Sequence, residues 1–331
     1  MNPPRFSQLV EALDQNQRVL IQTHDFPDFD AIASAVGLSE LLIHQGFNCL
    51  LVYGEVIQGY SLEETVMLFN LPMVSLSIVD SHPDDQVILV DSSRGNKNVT
   101  DIPGRLVGIV DHHSSTLVQD CPFWDNRPEL GSCSSLVWSY FEEMGWQPTK
   151  KAATLMLMGI MMDTGYLTRG VSSQDLEALN GLYFLGDWVQ GSFLLKNSLS
   201  VQSAPCFQEG LASLSVDVGG YGFAFVSQET SIETAALMAD DFLRFHEIHY
   251  QVVVARHGNE YKVSVRSEDP SVPAGTTARL ALEGLGSAGG HAHMGGGSIP
   301  LDLFPGAGEI HGRFRAILDQ YIKGKKQEGK G

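Results

Sequence analysis

One histidine and three aspartates fall within seven residues, His24-Asp25-Phe26-Pro27-Asp28-Phe29-Asp30, directly after the apolar run Val19-Leu20-Ile21. Similar groups recur at the ends of later apolar runs. Asp91 follows Gln86-Val-Ile-Leu-Val90, Asp111-His112-His113 follows residues 105–110, and Asp163 follows residues 155–162. If these ends converge, several carboxylates and imidazoles share one crevice with no Lys or Arg among them, and the carboxylates repel unless a cation pairs them. Carboxylate and imidazole donors suit hard or borderline divalent metals such as manganese. With this many donors, two ions bridged by one carboxylate are more natural than one. Taken singly, each piece has a plainer reading. Asp28 and Asp30 are acceptable helix caps. Asp91 before Ser92-Ser93 and Asp163 before Thr164-Gly165 read as turn residues, and His112 and His113 as satisfied core histidines. The site vanishes only if all of these readings hold at once. Asp25 is off the spacing and is set aside. His44, His82, His246, His249, His257 and His311 lack such company and read as structural or exposed, and Met156, Met158, Met161 and Met162 as core.

The elements that must position these groups alternate. Compact apolar strands are expected at 18–23, 48–53, 86–90 and 105–110, and helical periodicity at 30–44, 134–144, 149–162 and 173–185. Ser61-Leu-Glu-Glu64 reads as a capping box opening a short helix. Continuous apolar strands separated by helices predict a doubly wound, mainly parallel α/β sheet covered on both faces. In such a sheet the carboxyl ends of neighbouring strands face one crevice, where ligands bind. The rest of the chain reads as a smaller α+β domain. It has hairpins within 211–226 and around His257-Gly-Asn-Glu260, helices at 232–245, 276–285 and 309–322, and a glycine-rich loop at 286–297. The expected division is 1–190, a linker at 191–207, and 208–325.

Composition narrows the class. The 331 residues carry 21 Lys and Arg against 39 Asp and Glu, a net charge of −18. That argues against a protein tracking along duplex DNA, since phosphate contacts need a basic surface. The one basic run is the tail from Lys323 to Lys330. No apolar run reaches the ~18–20 residues that span a bilayer, and the first residues lack a signal-peptide pattern. Cys49, Cys121, Cys133 and Cys206 are scattered, without a CxxC pair, so a reducing cytoplasm is expected.

The ordered motifs resemble the DHH phosphoesterase superfamily. Its first motif stands as His24-Asp-Phe-Pro27-Asp28-Phe-Asp30-Ala31, its second as Val90-Asp91-Ser92, its name-giving tripeptide as Asp111-His112-His113, and its fourth as Gly159-Ile-Met-Met-Asp163-Thr-Gly165. The second half resembles the DHH-associated domain in Val263-Ser-Val-Arg266-Ser267 and in Gly289-Gly290-His291 with Gly295-Gly296-Gly297. There it departs from the usual Gly-Gly-His-x-x-Ala-Ala-Gly, with Met294-Gly295 in place of the small pair. The resemblance implies two manganese ions, with magnesium or cobalt as poorer substitutes. His24, Asp28 and Asp91 hold the first, and Asp30, Asp91, His112 and Asp163 the second. It also implies that Asp111 orients an imidazole and that His113 faces the substrate phosphate. Catalysis then falls to Asp91, Asp111, His112 and His113, and substrate binding to His113, Arg266, Ser267, Gly289, Gly290, His291, Gly295 and Gly296. The size is similar to the small two-domain members of the oligoribonuclease and pAp-phosphatase type. These imply a substrate of two to a few nucleotides lying across both domains: nanoRNA, pApA, cyclic di-AMP or pAp. Duplex DNA and membrane are not expected partners, and the reading leaves room for a homodimer. Two alternatives stay open: a non-catalytic nucleotide sensor on the same fold, and a hydrolase of another small phosphate such as pyrophosphate.

Overall fold

The computed structural model describes residues 5–95, 98–113, 120–269, 271–290 and 292–328, with the side chains of the last helix described to Tyr321. Two units divide the chain, Met1–Ser198 and Leu199–Gly331.

Unit one runs α1 (Phe6–Ala12), β1 (Val19–Gln22), α2 (Phe29–His44), β2 (Cys49–Tyr53), α3 (Tyr60–Leu68), β3 (Met73–Ser75), β4 (Gln86–Val90), β5 (Arg105–Asp111), β6 (Phe123–Asn126), α4 (Cys133–Met144), α5 (Lys150–Asp163), α6 (Ser173–Tyr183) and α7 (Trp188–Lys196). The strands form one parallel sheet in the order β3-β2-β1-β4-β5-β6. This is the doubly wound parallel architecture expected from the apolar strands, with β3 and β6 added at its edges. Strand order reverses between β1 and β4, and an open α/β sheet offers its ligand crevice at that reversal. Alternate residues of β4 feed two apolar clusters. Ile88 and Val90 join the large core with α2, α4 and α5, while Val87 and Leu89 face Ile109 and segments beside β5 and β6. A strand buried on both faces must be apolar throughout, which is why β4 reads as an unbroken run.

Unit two runs α8 (Ala204–Ser213), β7 (Ser215–Asp217), β8 (Tyr221–Glu229), α9 (Ile232–Phe242), β9 (Tyr250–His257), β10 (Glu260–Ser267), α10 (Ala274–Ala281), β11 (Ser287–Gly290), β12 (Met294–Pro300) and α11 (Ala307–Glu328). Its sheet is mixed, in the order β11-β12-β10-β9-β8-β7, with β8 and β9 parallel and the other pairs antiparallel.

Three local expectations need correction. Residues 191–207, read as a linker, are largely helical. α7 continues to Lys196, and α8 starts at Ala204 with a proline in its first turn, where the missing N–H costs nothing. α3 opens on Gly59 without a side-chain cap, because the Ser61 hydroxyl donates instead to the Leu194 carbonyl at 2.6 Å. The glycine-rich stretch 286–297 forms the β11–β12 hairpin, with Gly289 opposite Gly296 and Gly290 opposite Gly295.

Candidate metal centre

Each chemical group sits where a backbone element ends. His24 lies just past β1, and Asp28 is the N-cap of α2. Asp28 Oδ1 accepts from the amides of Asp30 and Ala31 at 3.0 Å each. The plainer capping reading of Asp28 is therefore true, and it leaves Oδ2 turned to His24 Nε2 at 3.9 Å. Asp91 follows β4, Asp111 ends β5, and Asp163 ends α5.

Three sets of donor atoms gather, each within 4.8 Å: His24, Asp28 and Asp91; Asp30, His112 and Asp163; and Asp91, His112 and His113. All six residues that the sequence assigns to metal are in these sets. Asp91 is the junction. Its carboxylate lies 3.9 Å from His24 Nε2, 3.4 Å from His112 Nε2 and 3.6 Å from His113 Nδ1. Its backbone is left-handed, with φ of 54°, a conformation that Asp and Asn tolerate better than most residues. His112 Nε2 also faces Asp163 at 3.2 Å and Asp30 at 3.9 Å.

Do these residues fit a divalent ion? Both carboxylate oxygens of Asp91 and Nε2 of His112 are buried, yet none makes a hydrogen bond among the described residues. Buried polar atoms in folded proteins are almost always partnered. Two carboxylate oxygens and an imidazole nitrogen gathered together, without hydrogen-bond partners among the described residues, match the donor chemistry of a hard or borderline cation. The fit is good.

The electrostatics agree. Burial, then the charges of Asp163 and Asp91, push the Asp30 carboxyl well above the ordinary carboxylate range. Burial, with the negative neighbours Asp28 and Asp91, pushes Asp163 up to about 6. Burial pulls His112 down, but the nearby carboxylates of Asp163, Asp91 and Asp30 outweigh it and hold the ring well above its usual value. Protons are thus retained where a cation is wanted. Asp111 behaves oppositely. Burial raises its carboxyl, but bonds from His113 and Ser93 hold it below the ordinary range. Asp111 Oδ1 takes His113 Nδ1 at 2.9 Å and the His113 amide at 3.0 Å, and Oδ2 takes the Ser93 hydroxyl at 2.5 Å. Against burial, that carboxylate lifts His113 to about 9.

Several groups that position the cluster escape motif reading. Asp30 is gripped by the first amides of α4, Cys133 N to Oδ2 at 2.6 Å and Ser134 N to Oδ1 at 3.0 Å. His112 Nδ1 bonds the Leu130 carbonyl at 3.2 Å. A metal-binding imidazole commonly has its second nitrogen held in this way. Gly159 leaves room for Asp30, since a Cβ there would lie 2.7 Å from Asp30 Oδ1. Asp25, set aside on spacing, pins the strip after Asp91: its Oδ1 accepts from Thr100 N at 2.8 Å, and its own amide donates to the Asn98 carbonyl at 2.7 Å. Nothing in residue spacing signals a bond of that kind.

In unit two, Arg266 is buried, and its guanidinium forks onto Asp240, Nε to Oδ1 at 2.6 Å and Nη2 to Oδ2 at 3.1 Å. Asp240 lies in no motif and carries no signal in residue spacing. The Ser267 amide bonds the His293 carbonyl, and its hydroxyl bonds the Asp269 carbonyl. Gly295 lies against the start of α10, where a Cβ would come within 2.6 Å of the Ala274 backbone, so close backbone packing alone demands glycine there. His291 lies outside the described residues.

Comparison with known proteins places this geometry. Residues 18–160 match the model of the DHH family, N-terminal domain. An uncharacterized protein of Methanocaldococcus jannaschii is 28% identical over 312 residues, covering 93% of this chain and 63% of its own length. The chain thus spans less than two thirds of that relative. A Streptococcus mutans protein named "Probable manganese-dependent inorganic pyrophosphatase" is 27% identical over 251 residues, covering 72% of this chain and 70% of its own. Among solved structures, an exopolyphosphatase-related protein from Bacteroides fragilis superposes with a TM-score of 0.76 at 20% identity, covering 96% of this chain and 95% of that one. That likeness is one of fold. Among the described residues, no helix is long and apolar enough to cross a membrane.

Proposed function

Residues 18–160 of this chain belong to the DHH family, and from that premise we propose that the chain is a divalent-metal-dependent phosphoesterase acting on short oligonucleotides or dinucleotides. The observation that carries the reading is the buried carboxylate of Asp91, without a hydrogen-bond donor among the described residues and ringed by His24, His112 and His113 where the strand order reverses. Manganese is the preferred ion, on the oxygen and imidazole donor set and on the manganese-dependent name of the Streptococcus relative.

In this reading His24, Asp28 and Asp91 hold one ion, and Asp30, His112 and Asp163 hold a second, with Asp91 shared. Bound there, divalent ions acidify water and neutralise phosphoryl oxygens. The protein's part is arrangement. Asp28 is fixed by capping α2, Asp30 by the amides of α4, and His112 by the Leu130 carbonyl. Asp111 keeps the His113 proton at Nδ1 and fixes that ring's plane toward the substrate. Water attacks phosphorus, the bond to the leaving oxygen breaks, and that oxygen takes up a proton. Arg266, Ser267, His291 and the glycines 289, 290, 295 and 296 are proposed to hold the remainder of the substrate. The charge of −18 favours a short substrate, because few phosphates need only a local basic spot.

The test is incubation of the whole chain with manganese and pApA, followed by measurement of AMP. The expected result is manganese-dependent AMP release that chelation stops. A parallel panel of pAp, cyclic di-AMP, nanoRNA and pyrophosphate ranks the substrates. Tight nucleotide binding with no turnover of any of them would overturn the enzymatic reading in favour of a sensor.

A further inference from the structure

We propose that Asp175, which no motif contains, is the positioning residue for the Asp30, His112 and Asp163 ion site; the inference rests on the metal-dependent reading above. Asp175 lies in the first turn of α6 and is fully buried. Locally it closes a capping box: Oδ2 accepts from the Ser172 amide at 2.8 Å and the Ser172 hydroxyl at 2.6 Å. A helix cap needs no more than that. Asp175 also reaches back to the turn before α4. Oδ2 takes the Gly131 amide at 2.9 Å, and Oδ1 faces the Ser132 hydroxyl at 3.4 Å.

That turn and the start of α4 bond two of the three prospective ligands and back onto the neighbour of the third. Its Leu130 carbonyl holds His112 Nδ1 at 3.2 Å. The first two amides of α4, Cys133 and Ser134, which follow that turn, grip the Asp30 carboxylate at 2.6 and 3.0 Å. Gly131 abuts the residue after Asp163, for a Cβ on Gly131 would lie 2.8 Å from Thr164 Cγ2 and 2.8 Å from the Gly170 carbonyl oxygen. One buried carboxylate therefore ties down the turn 130–132 that leads into α4, and the turn with the helix start aims an imidazole and a carboxylate and backs onto the segment carrying a second carboxylate. The set His24, Asp28 and Asp91 shares none of these bonds. Loss of Asp175 should then weaken one ion and spare the other, a selectivity that general destabilisation does not produce.

The experiment is manganese titration of the full chain by calorimetry, with bound Mn2+ followed by electron paramagnetic resonance. The wild type is expected to bind two ions. Asp175→Asn should weaken one by tenfold or more and leave the other within twofold. Ser172→Ala removes the hydroxyl, which donates to Asp175 Oδ2 and accepts from the Asp175 amide, but keeps the Ser172 amide and the ties to Gly131 and Ser132, so it should lower Tm without changing either affinity. If Asp175→Asn folds and binds both ions as the wild type does, or if the two variants behave alike, Asp175 is only a helix cap and the inference fails. A measurement on the wild type guards against a variant that does not fold. Filling the second ion site should slow hydrogen exchange at the amides of Gly131, Cys133 and Ser134. Unchanged exchange there, with two ions bound, also overturns the inference. A wild type that binds no pair of manganese ions sinks the metal reading itself, a result distinct from the other two.

Discussion

Asp91→Asn separates the metal from the fold. Asparagine is nearly isosteric and tolerates the left-handed backbone, with φ of 54°, as aspartate does. The Asp91 oxygens accept no hydrogen bond among the described residues, so the substitution breaks none there. The ion-free variant should therefore keep its stability within about 1 kcal/mol. Asp91→Ala, by contrast, places a Cβ residue with no polar compensation at that φ and should cost about 1–2 kcal/mol. The difference lies in manganese. At a free concentration about 100 times Kd, one ion stabilises the folded chain by about 2.7 kcal/mol. For a unit of 198 residues, each kcal/mol shifts Tm by roughly 2–4 °C. The wild type should gain about 5–11 °C per ion under those conditions. Asp91→Asn should lose most of that gain, because the shared carboxylate serves both ions. It should also lose several kcal/mol of transition-state stabilisation, roughly a thousandfold in kcat/KM. Thermal scans with and without manganese, beside turnover of pApA, read both quantities. An Asp91→Asn chain with a wild-type manganese shift and near-normal turnover would refute the assignment of Asp91 as the shared ligand.

Other expectations follow the same geometry. Gly159→Ala gains about 1 kcal/mol of helix propensity, but its Cβ would stand 2.5 Å from Ser134 Oγ and 2.7 Å from Asp30 Oδ1. Overpacking of about 1–3 kcal/mol should win, lowering both Tm and manganese affinity; a rise in Tm would contradict the packing. The folded Asp163 pKa of about 6 exceeds its reference of 3.8. In the ion-free chain, its contribution to stability is therefore complete below about pH 4 and lost as pH rises through about 6. Manganese affinity runs the other way, rising with pH across that window as the proton leaves, and calorimetry at about pH 5, 6 and 7 checks it; a flat affinity would count against Asp163 as a ligand. Arg266→Ala should lower kcat/KM on pApA by roughly 10–150-fold, the equivalent of about 1.5–3 kcal/mol for a charge-assisted contact. Bis-p-nitrophenyl phosphate, with no second phosphate, should barely change, and equal losses would show that Arg266 serves the fold through Asp240.

What was legible in the sequence was whatever the strands dictate locally. β4 is buried on both sides, so it had to be an unbroken apolar run, and Asp91 stands out at its end. The hairpin of β9 and β10 was visible because alternation breaks at Gly258-Asn259. Strands with mixed composition were not visible: β6, Phe-Trp-Asp-Asn, buries alternate residues only and is four residues long. The candidate donors were legible because donor chemistry resides in residue type. The supports were not, because Asp175 to Gly131 spans 44 positions and Asp240 to Arg266 spans 26. Bonds to backbone amides, such as those holding Asp30, leave no trace in residue type at the donor. The glycines of β11 and β12 misled for a related reason. Glycine marks a flexible loop and a close backbone crossing equally well, and here α10 lies against the strand.

The gathering of ligands from β1, α2, β4, β5 and α5 has a consequence in time. The donors run from His24 to Asp163 along the chain. A ribosome must release α5 before the last of them exists outside it, and the early motif alone offers His24, Asp28 and Asp30, three donors with no shared carboxylate. Manganese therefore cannot act as a template for an early folding step, as zinc does when its ligands lie close together in a small domain. On the proposed reading it would bind after β1, β4 and β5 have paired and α5 has docked. An ion that binds only after the barrier is crossed leaves the folding rate alone and slows unfolding. On the proposed reading manganese would be a lock on the finished unit, and its removal should show as a shorter native lifetime, with refolding as fast as before.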